Sequence, residues 1–187
     1  MSSGAGESSS DRSARLLRLV EADGERLYGL LTRLTLCEDV ADDLLQELVV
    51  RLSQADGFQR ADNPFAYARR AAIHLAFDWR RQGKQRRKTE PLSEEPAVPA
   101  PNLLGRLTDR EELEQVVAAL ERLSPLSRSC VVLHYIEQLS YAEVAGQLDV
   151  TPHQARAACH KGIRRLRRLM GVGPSGQLQE EASDDEF

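Results

Sequence analysis

Apolar residues recur at helical spacing along most of this chain, and each run ends at a recognisable signal. From Asp11 a stripe runs through Leu16, Leu19, Val20, Leu27, Leu30, Leu31 and Leu34, with Gly24 as a candidate break. A second stripe, Val40, Leu44, Leu45, Leu48 and Leu52, opens near Glu38 and Asp39, whose charges suit the positive end of a helix dipole. A third begins at Asn63-Pro64, a capping residue followed by proline at the first helical position, and carries Phe65, Ala68, Ala72, Leu75 and Trp79 to about Gln82. Thr108 with Glu111 opens a fourth helix, ending near Leu123. Three starts then follow closely. Ser124 caps ahead of Pro125, Ser140 pairs with Glu143 in a capping box, and Thr151 pairs with Gln154 in another, with Pro152 at the first helical position. The apolar positions between them are Val131, Val132 and Tyr135, then Val144, Ala145 and Leu148, then Ala155, Cys159, Ile163, Leu166 and Met170. No alternation is long enough to build a sheet, and no internal repeat occurs. The expected fold is all-α.

The same pattern divides the chain. Residues 1–10 are rich in Ser and Gly and are expected to be disordered. Residues 11–88 form one helical domain. Residues 89–107 hold Pro91, Pro96, Pro99 and Pro101 among glutamates and predict a flexible linker. Residues 108–170 form a second helical domain, and residues 171–187 an acidic, disordered tail. The architecture is two small helical domains joined by a flexible linker.

The second domain carries a specific pattern. A short helix, a tight turn at Asp149-Val150-Thr151 and a longer helix with basic residues on its free side is the sequence form of a helix-turn-helix. Unrolling the last helix puts Ala155, Cys159, Ile163 and Leu166 on the core stripe. His153, Gln154, Arg156, Ala157, His160, Lys161 and Arg164 fall largely outside it. Gln and Arg can each make two hydrogen bonds to a purine edge, and Lys and Arg neutralise phosphates. A solvated basic helix would show the same face, but two capping boxes around a tight turn favour a DNA reader.

Charge first argues against nucleic acid, because the formal net charge is −4. That figure averages uneven segments. Glu38, Asp39, Asp42, Asp43 and Glu47 are acidic, Arg80 to Lys88 and Lys161 to Arg168 are basic, and the end of the chain is acidic again. Screening over about 8–10 Å lets such patches act independently, so opposite patches predict one basic and one acidic partner. There is no apolar run long enough for a bilayer, so no membrane insertion is expected, and the N-terminus lacks the features of a signal peptide. A cytoplasmic location follows as the expectation. Cys37, Cys130 and Cys159 are far apart and form no CxxC pair, so each reads as a small buried apolar residue. No metal, cofactor or small-molecule substrate is expected.

At this point the residues resemble a known family, the extracytoplasmic-function (ECF) group of sigma-70 RNA polymerase sigma factors. Asp39-Val-Ala-Asp-Asp-Leu-Leu-Gln-Glu47 is similar to that family's acidic D-x-x-D-L-x-Q-E segment. Pro64-Phe-Ala-Tyr-Ala-Arg-Arg70, continuing to Leu75-Ala-Phe-Asp-Trp-Arg-Arg81, resembles its region 2 promoter-reading helix, and Leu139-Ser-Tyr-Ala-Glu-Val-Ala145 its region 4 motif L-S-Y-x-E-I-A. The likeness covers roughly residues 28–88 and 111–170. It implies a region 2 domain that reads the promoter −10 element and a region 4 domain that reads the −35 element. It further implies that Asp39, Asp42, Asp43, Gln46 and Glu47 contact the basic clamp helices of core RNA polymerase. The loop at residues 57–63 and the start of the following helix would hold an unpaired −10 base. Phe58 and Tyr67 are available for stacking, as is Phe65, for which core packing is the favoured reading. Arg69, Arg70, Arg80 and Arg81 would engage the phosphate backbone. His74, where the family commonly has Asn, joins this −10 set. The −35 set is Ser140, Tyr141, His153, Gln154, Arg156, Ala157, His160, Lys161 and Arg164. Ile73 stands where a polar or basic residue is common, and in the last helix Ala157 and Ala158 occupy places often held by Ser and Arg, which leaves the −35 sequence open. Core RNA polymerase and promoter DNA are the implied partners, and an anti-sigma factor is a further candidate.

Three rival readings fit less well. A free-standing helix-turn-helix regulator leaves the acidic segment unexplained, and the N-terminal half lacks the βα alternation of a receiver domain. A carboxylate metal site needs inward Glu residues with Glu-x-x-His partners, a spacing absent here. A helical enzyme needs a nucleophile–base pair or phosphate loop, and neither is seen.

Overall fold

A computed structural model describes residues 4–89 and 103–171. The central part of the expected linker and nearly all of the acidic tail lie outside the described residues. Among those described, every regular element is a helix: α1 (Gly4–Thr35), α2 (Glu38–Gln54), α3 (Asp56–Arg60), α4 (Pro64–Thr89), α5 (Leu103–Glu121), α6 (Pro125–Val131), α7 (Tyr141–Leu148) and α8 (Pro152–Leu169). A π-type segment, Val132–Ile136, extends α6.

Several boundaries differ from the pattern reading. The first helix reaches back to Gly4, into the Ser/Gly-rich stretch, because a packed helix can propagate outward from its nucleus. It also passes through Gly24, where an added Cβ would meet only Val20 at 3.6 Å, so this glycine breaks nothing. The helix from Pro64 runs on to Thr89. α5 starts at Leu103, which places Thr108 and Glu111 inside it rather than at its cap. Residues 103–107 contain no proline, and helix propensity carries α5 through them.

The N-terminal domain packs α1, α2 and α4 against one another. Leu27, Leu30, Leu31 and Leu34 of α1 meet Ala41, Leu44, Leu48 and Leu52 of α2, all buried. α4 is enclosed on more than one side: Ala68, Ala72, Ile73, Leu75, Ala76 and Phe77 are all buried. That explains why its apolar residues do not keep to the single stripe expected. Val20, by contrast, lies on the exposed side of α1. Asn63 caps α4 as expected, its Oδ1 accepting from the Ala66 N–H at 2.9 Å.

The C-terminal domain packs α6 and α7 onto α8. Cys130, Val132 and Leu133 form its floor with Val144, Ala145, Ala155 and Cys159. Tyr135 and Met170, read as core positions, are exposed instead. Tyr135 turns outward because the backbone over residues 132–136 widens to i→i−5 hydrogen bonding, with the Glu137 N–H bonded to the Val132 carbonyl at 3.0 Å. At Gly162 α8 lies close against α6. A Cβ there would sit 2.7 Å from Val131 Cγ2 and 3.3 Å from the Ser127 carbonyl oxygen.

Candidate nucleic-acid interface

The helix-turn-helix is built by its caps. The Ser140 Oγ accepts from the Glu143 N–H at 3.3 Å, and the Glu143 carboxylate accepts from the Ser140 N–H at 2.8 Å. The Ser140 hydroxyl also donates to that carboxylate at 2.8 Å, and this bond, with the one from the Ser140 N–H, holds the Glu143 carboxyl below its ordinary range. Thr151 and Gln154 repeat the arrangement at the start of α8, with 3.2 Å and 2.9 Å bonds. Between them Asp149 ends α7 in the left-handed conformation (φ 56°), which a short polar residue tolerates.

On α8 every residue expected on the reading face is exposed: His153, Gln154, Arg156, Ala157, His160, Lys161 and Arg164. Ala155 and Cys159 are fully buried opposite them. Gln154 has a second task, because its Oε1 closes the capping box and leaves the amide N–H groups for an outside partner. Ser140 likewise spends its side chain on its cap. Tyr141 is a half-buried platform rather than a free side chain. It stacks on His134 with centroids 4.2 Å apart, and the Arg156 guanidinium lies 5.4 Å from its ring centre. Burial pushes its hydroxyl up to about 12.

On α2 the acidic strip is sorted as the pattern predicts. Asp39, Asp42, Asp43, Gln46 and Glu47 are exposed, and the opposite face is the leucine core. Glu47 pairs with Arg51 one turn on, an exposed contact of small energetic weight.

The expected −10 residues separate into two groups. Tyr67, Arg70, His74 and Arg81 reach the surface wholly or in part, and Arg81 pairs with Asp78 at 2.9 Å. His74 is held below its ordinary pKa, first by partial desolvation and then by the positive charges of Arg128 and Arg70, with Asp78 opposing.

Phe58, Arg69 and Arg80 are buried, so none of them presents a free side chain in this arrangement. Phe58 turns inward because α3, a single short helix with no strong sequence signal, rolls it beneath Tyr67, with centroids 6.1 Å apart. Arg80 is bound between Glu114 (2.6 Å) and Glu121 (2.7 Å) of α5. Burial alone would lower its pKa, but the two carboxylates outweigh that and raise it. Arg69 is 4% exposed and bonds the Glu137 carboxylate at 3.3 Å and the Gln147 Oε1 at 3.1 Å. Desolvation is the largest influence on it and draws its pKa down despite Glu137.

One feature of the site had no sequence signal. A cleft between α1 and the head of α4 is lined by Arg15, Arg18, Asp23, Asn63 and Phe65. Arg15 donates to the Ala61 carbonyl and lies 5.7 Å from the centre of the Phe58 ring. Its buried Nε has no partner among the described residues. Phe65 is partly buried as favoured, and it lies under two guanidiniums, Arg26 at 4.1 Å and Arg69 at 4.7 Å. Arg15 and Arg18 lie far upstream of the acidic and reading helices, so only the fold brings them to this loop.

Among the described residues no His, Cys, Asp and Glu cluster could hold a metal, and no helix is long and apolar enough to cross a membrane.

The geometry defines a class: a two-domain helical DNA-binding protein that also carries an acidic face suited to a protein partner. Comparison with known proteins makes this particular. Residues 19–87 match sigma-70 region 2, and residues 113–166 match sigma-70 region 4. The chain is 32% identical to the ECF RNA polymerase sigma factor SigE of Mycolicibacterium smegmatis over 86% of its length, spanning 63% of that protein. It is 33% identical to the RNA polymerase sigma-E factor of Streptomyces coelicolor, covering 68% of this chain and 70% of the relative. The solved structure of CnrH in complex with the cytosolic domain of CnrY shares the fold, with a TM-score of 0.53, 21% identity and coverage of 90% and 95% of the two chains. The chain belongs to the sigma-70 family of RNA polymerase sigma factors, in its ECF group. Its role is promoter recognition in transcription initiation, within a family of non-catalytic initiation factors.

Proposed function

We propose that α2 docks this chain on core RNA polymerase through Asp39, Asp42, Asp43, Gln46 and Glu47, while α8 and the head of α4 read the promoter. The observation that carries the docking assignment is the sorting of α2, with five polar residues exposed over a continuous buried leucine face. An acidic strip on a rigid helix complements a basic partner surface and steers its approach. On α8, Arg156 and Gln154 are suited to base edges of the −35 element, and Lys161 and Arg164 to phosphate. The α1–α4 cleft fits an unpaired −10 base. Arg15 and Arg18 supply positive charge there, Asn63 offers its amide, and Phe65 supplies ring surface in place of the buried Phe58. Unstacking a base costs a few kcal/mol, which such a pocket can offset. Of the α4 arginines expected to meet the backbone, Arg70 and Arg81 reach the surface and are suited to it. The chain carries out no reaction itself, acts in the cytoplasm with the polymerase, and offers an anti-sigma factor the same acidic and basic faces to compete for.

The test is Asp43→Arg combined with Glu47→Arg. Co-purification with core polymerase should be lost, while circular dichroism and binding to double-stranded DNA stay as in the wild type. Undiminished co-purification would remove α2 from the docking surface.

A further inference from the structure

Arg156 of α8 lies against an aromatic cluster that other elements supply. Its guanidinium is 5.4 Å from the centre of the Tyr141 ring, and it makes no ion pair among the described residues. Tyr141 is itself held on several sides. It stacks on His134 with ring centres 4.2 Å apart and planes 20° from parallel, and His160 of α8 meets it edge-on at 6.5 Å. Its hydroxyl hydrogen-bonds the buried Cys159 thiol. His134 is fixed in turn. Its Nδ1–H donates to the Leu139 carbonyl at 2.7 Å, and the Tyr135 ring packs against it at a steep angle, with centres 4.8 Å apart.

The π-type segment puts His134 there. After the Glu137 N–H bonds the Val132 carbonyl at 3.0 Å, Gln138 takes the left-handed conformation (φ 55°), and the Leu139 N–H returns to the Leu133 carbonyl at 3.1 Å. This reversal brings the Leu139 carbonyl onto the His134 ring, just ahead of the Ser140 cap, and Tyr141 is the first residue of α7. Turns of this kind gather at functional positions. The stack ends not in the core but at Arg156, an exposed residue of the face assigned to DNA.

We infer that His134 and Tyr141 are positioning residues for promoter recognition: the stacked pair holds the Arg156 guanidinium in place for one base pair of the −35 element, so that two residues outside α8 set how strictly that base pair is read. This rests on the reading of Arg156 as a base contact. An arginine drawn to a ring face keeps its N–H groups for another acceptor, and its planar fork must meet a purine edge in one orientation to form both bonds. An arginine free to swing loses more freedom on docking and can also settle on a neighbouring phosphate. Both effects reduce the advantage of the right base, because only the right base demands the fixed geometry.

The experiment assembles the full chain with core RNA polymerase and binds it to promoter duplexes randomised over the −35 element. Sequencing the bound fraction gives the preference at each base pair, and Arg156→Ala marks the one that Arg156 reads. Tyr141→Leu and His134→Ala should each weaken the preference at that base pair by about three- to tenfold and leave the others unchanged. Tyr141→Phe keeps the ring and should keep the wild-type preference. In the Arg156→Ala background, Tyr141→Leu should take nothing further from that position. His134→Ala leaves Tyr141 in the chain and serves if Tyr141→Leu fails to fold. A preference at the Arg156 base pair that survives both Tyr141→Leu and His134→Ala would overturn the inference. So would an equal loss at every base pair, the mark of a domain that is merely destabilised. An Arg156→Ala variant that relaxes no position would refute the reading of Arg156 as a base contact, and the inference would fall with it.

Discussion

Gly162→Ala should destabilise the C-terminal domain, although alanine is the better helix former. In an exposed helix the exchange would gain about 0.8–1 kcal/mol. At Gly162 the new Cβ would stand 2.7 Å from Val131 Cγ2, about 1 Å inside ordinary carbon–carbon contact. Val131 is buried and β-branched, so its χ1 has little freedom to retreat. Behind it the Ser127 carbonyl, at 3.3 Å, is backbone and moves only with α6. Forcing a methyl group into such a contact costs about 1–3 kcal/mol. With both neighbours stiff the upper half of that range applies, and the net loss is roughly 1–2 kcal/mol after the propensity gain. For a domain of 60–100 residues that lowers Tm by about 4–16 °C. Gly146→Ala is the control, since nothing lies within 4 Å of its added Cβ, and it should raise Tm by a few degrees. Circular dichroism of the full chain reads the melt, and the fluorescence of the single tryptophan, Trp79 on α4, follows the N-terminal domain separately. Because the contact sets how α8 lies on α6, duplex DNA affinity should fall with Gly162→Ala. A variant as stable as Gly146→Ala would show that α6 and α8 can part without cost and would refute the close-packing argument.

Two further predictions concern the helix-turn-helix. Lys161→Ala should weaken binding to all sequences alike and reduce the salt slope by about one, whereas Arg156→Ala should cost about 1–3 kcal/mol and relax specificity at one position. Gln154→Ala should lower both specificity and Tm, because its amide also closes the α8 cap; uniform effects across the three in promoter-variant and salt-dependence assays would mean the α8 face is misassigned. Ser140→Ala should lower Tm by a few degrees and return the Glu143 titration, followed by NMR, toward the ordinary carboxylate range. Because the folded Glu143 pKa is depressed, its stabilising effect is present above the unfolded value and is lost as pH falls through the folded one; an unshifted titration in the variant would separate Glu143 from the cap.

What the sequence determined by itself is whatever depends on near neighbours. Ser124, Ser140 and Thr151 cap helices because a hydroxyl reaches an N–H three residues on, whatever surrounds it. The faces of α2 and α8 follow from the 3.6-residue period, so Asp39, Asp42, Asp43, Gln46 and Glu47 on one and His153, Gln154, Arg156, His160, Lys161 and Arg164 on the other could be placed in solvent without a structure. Arg69 and Arg80 illustrate the opposite case. Both read as surface cations, because arginine is rarely buried unless paired, and their partners, Glu137 and Glu121, lie 68 and 41 residues away. Phe58 depended on α3, too short to carry a period, and Glu137 on a π-type turn that no residue pattern announces. What a side chain at Gly162 would meet is decided by α6 lying against it. In each of these cases long-range packing decides which groups meet, and that information is held by the pair of elements rather than by either alone.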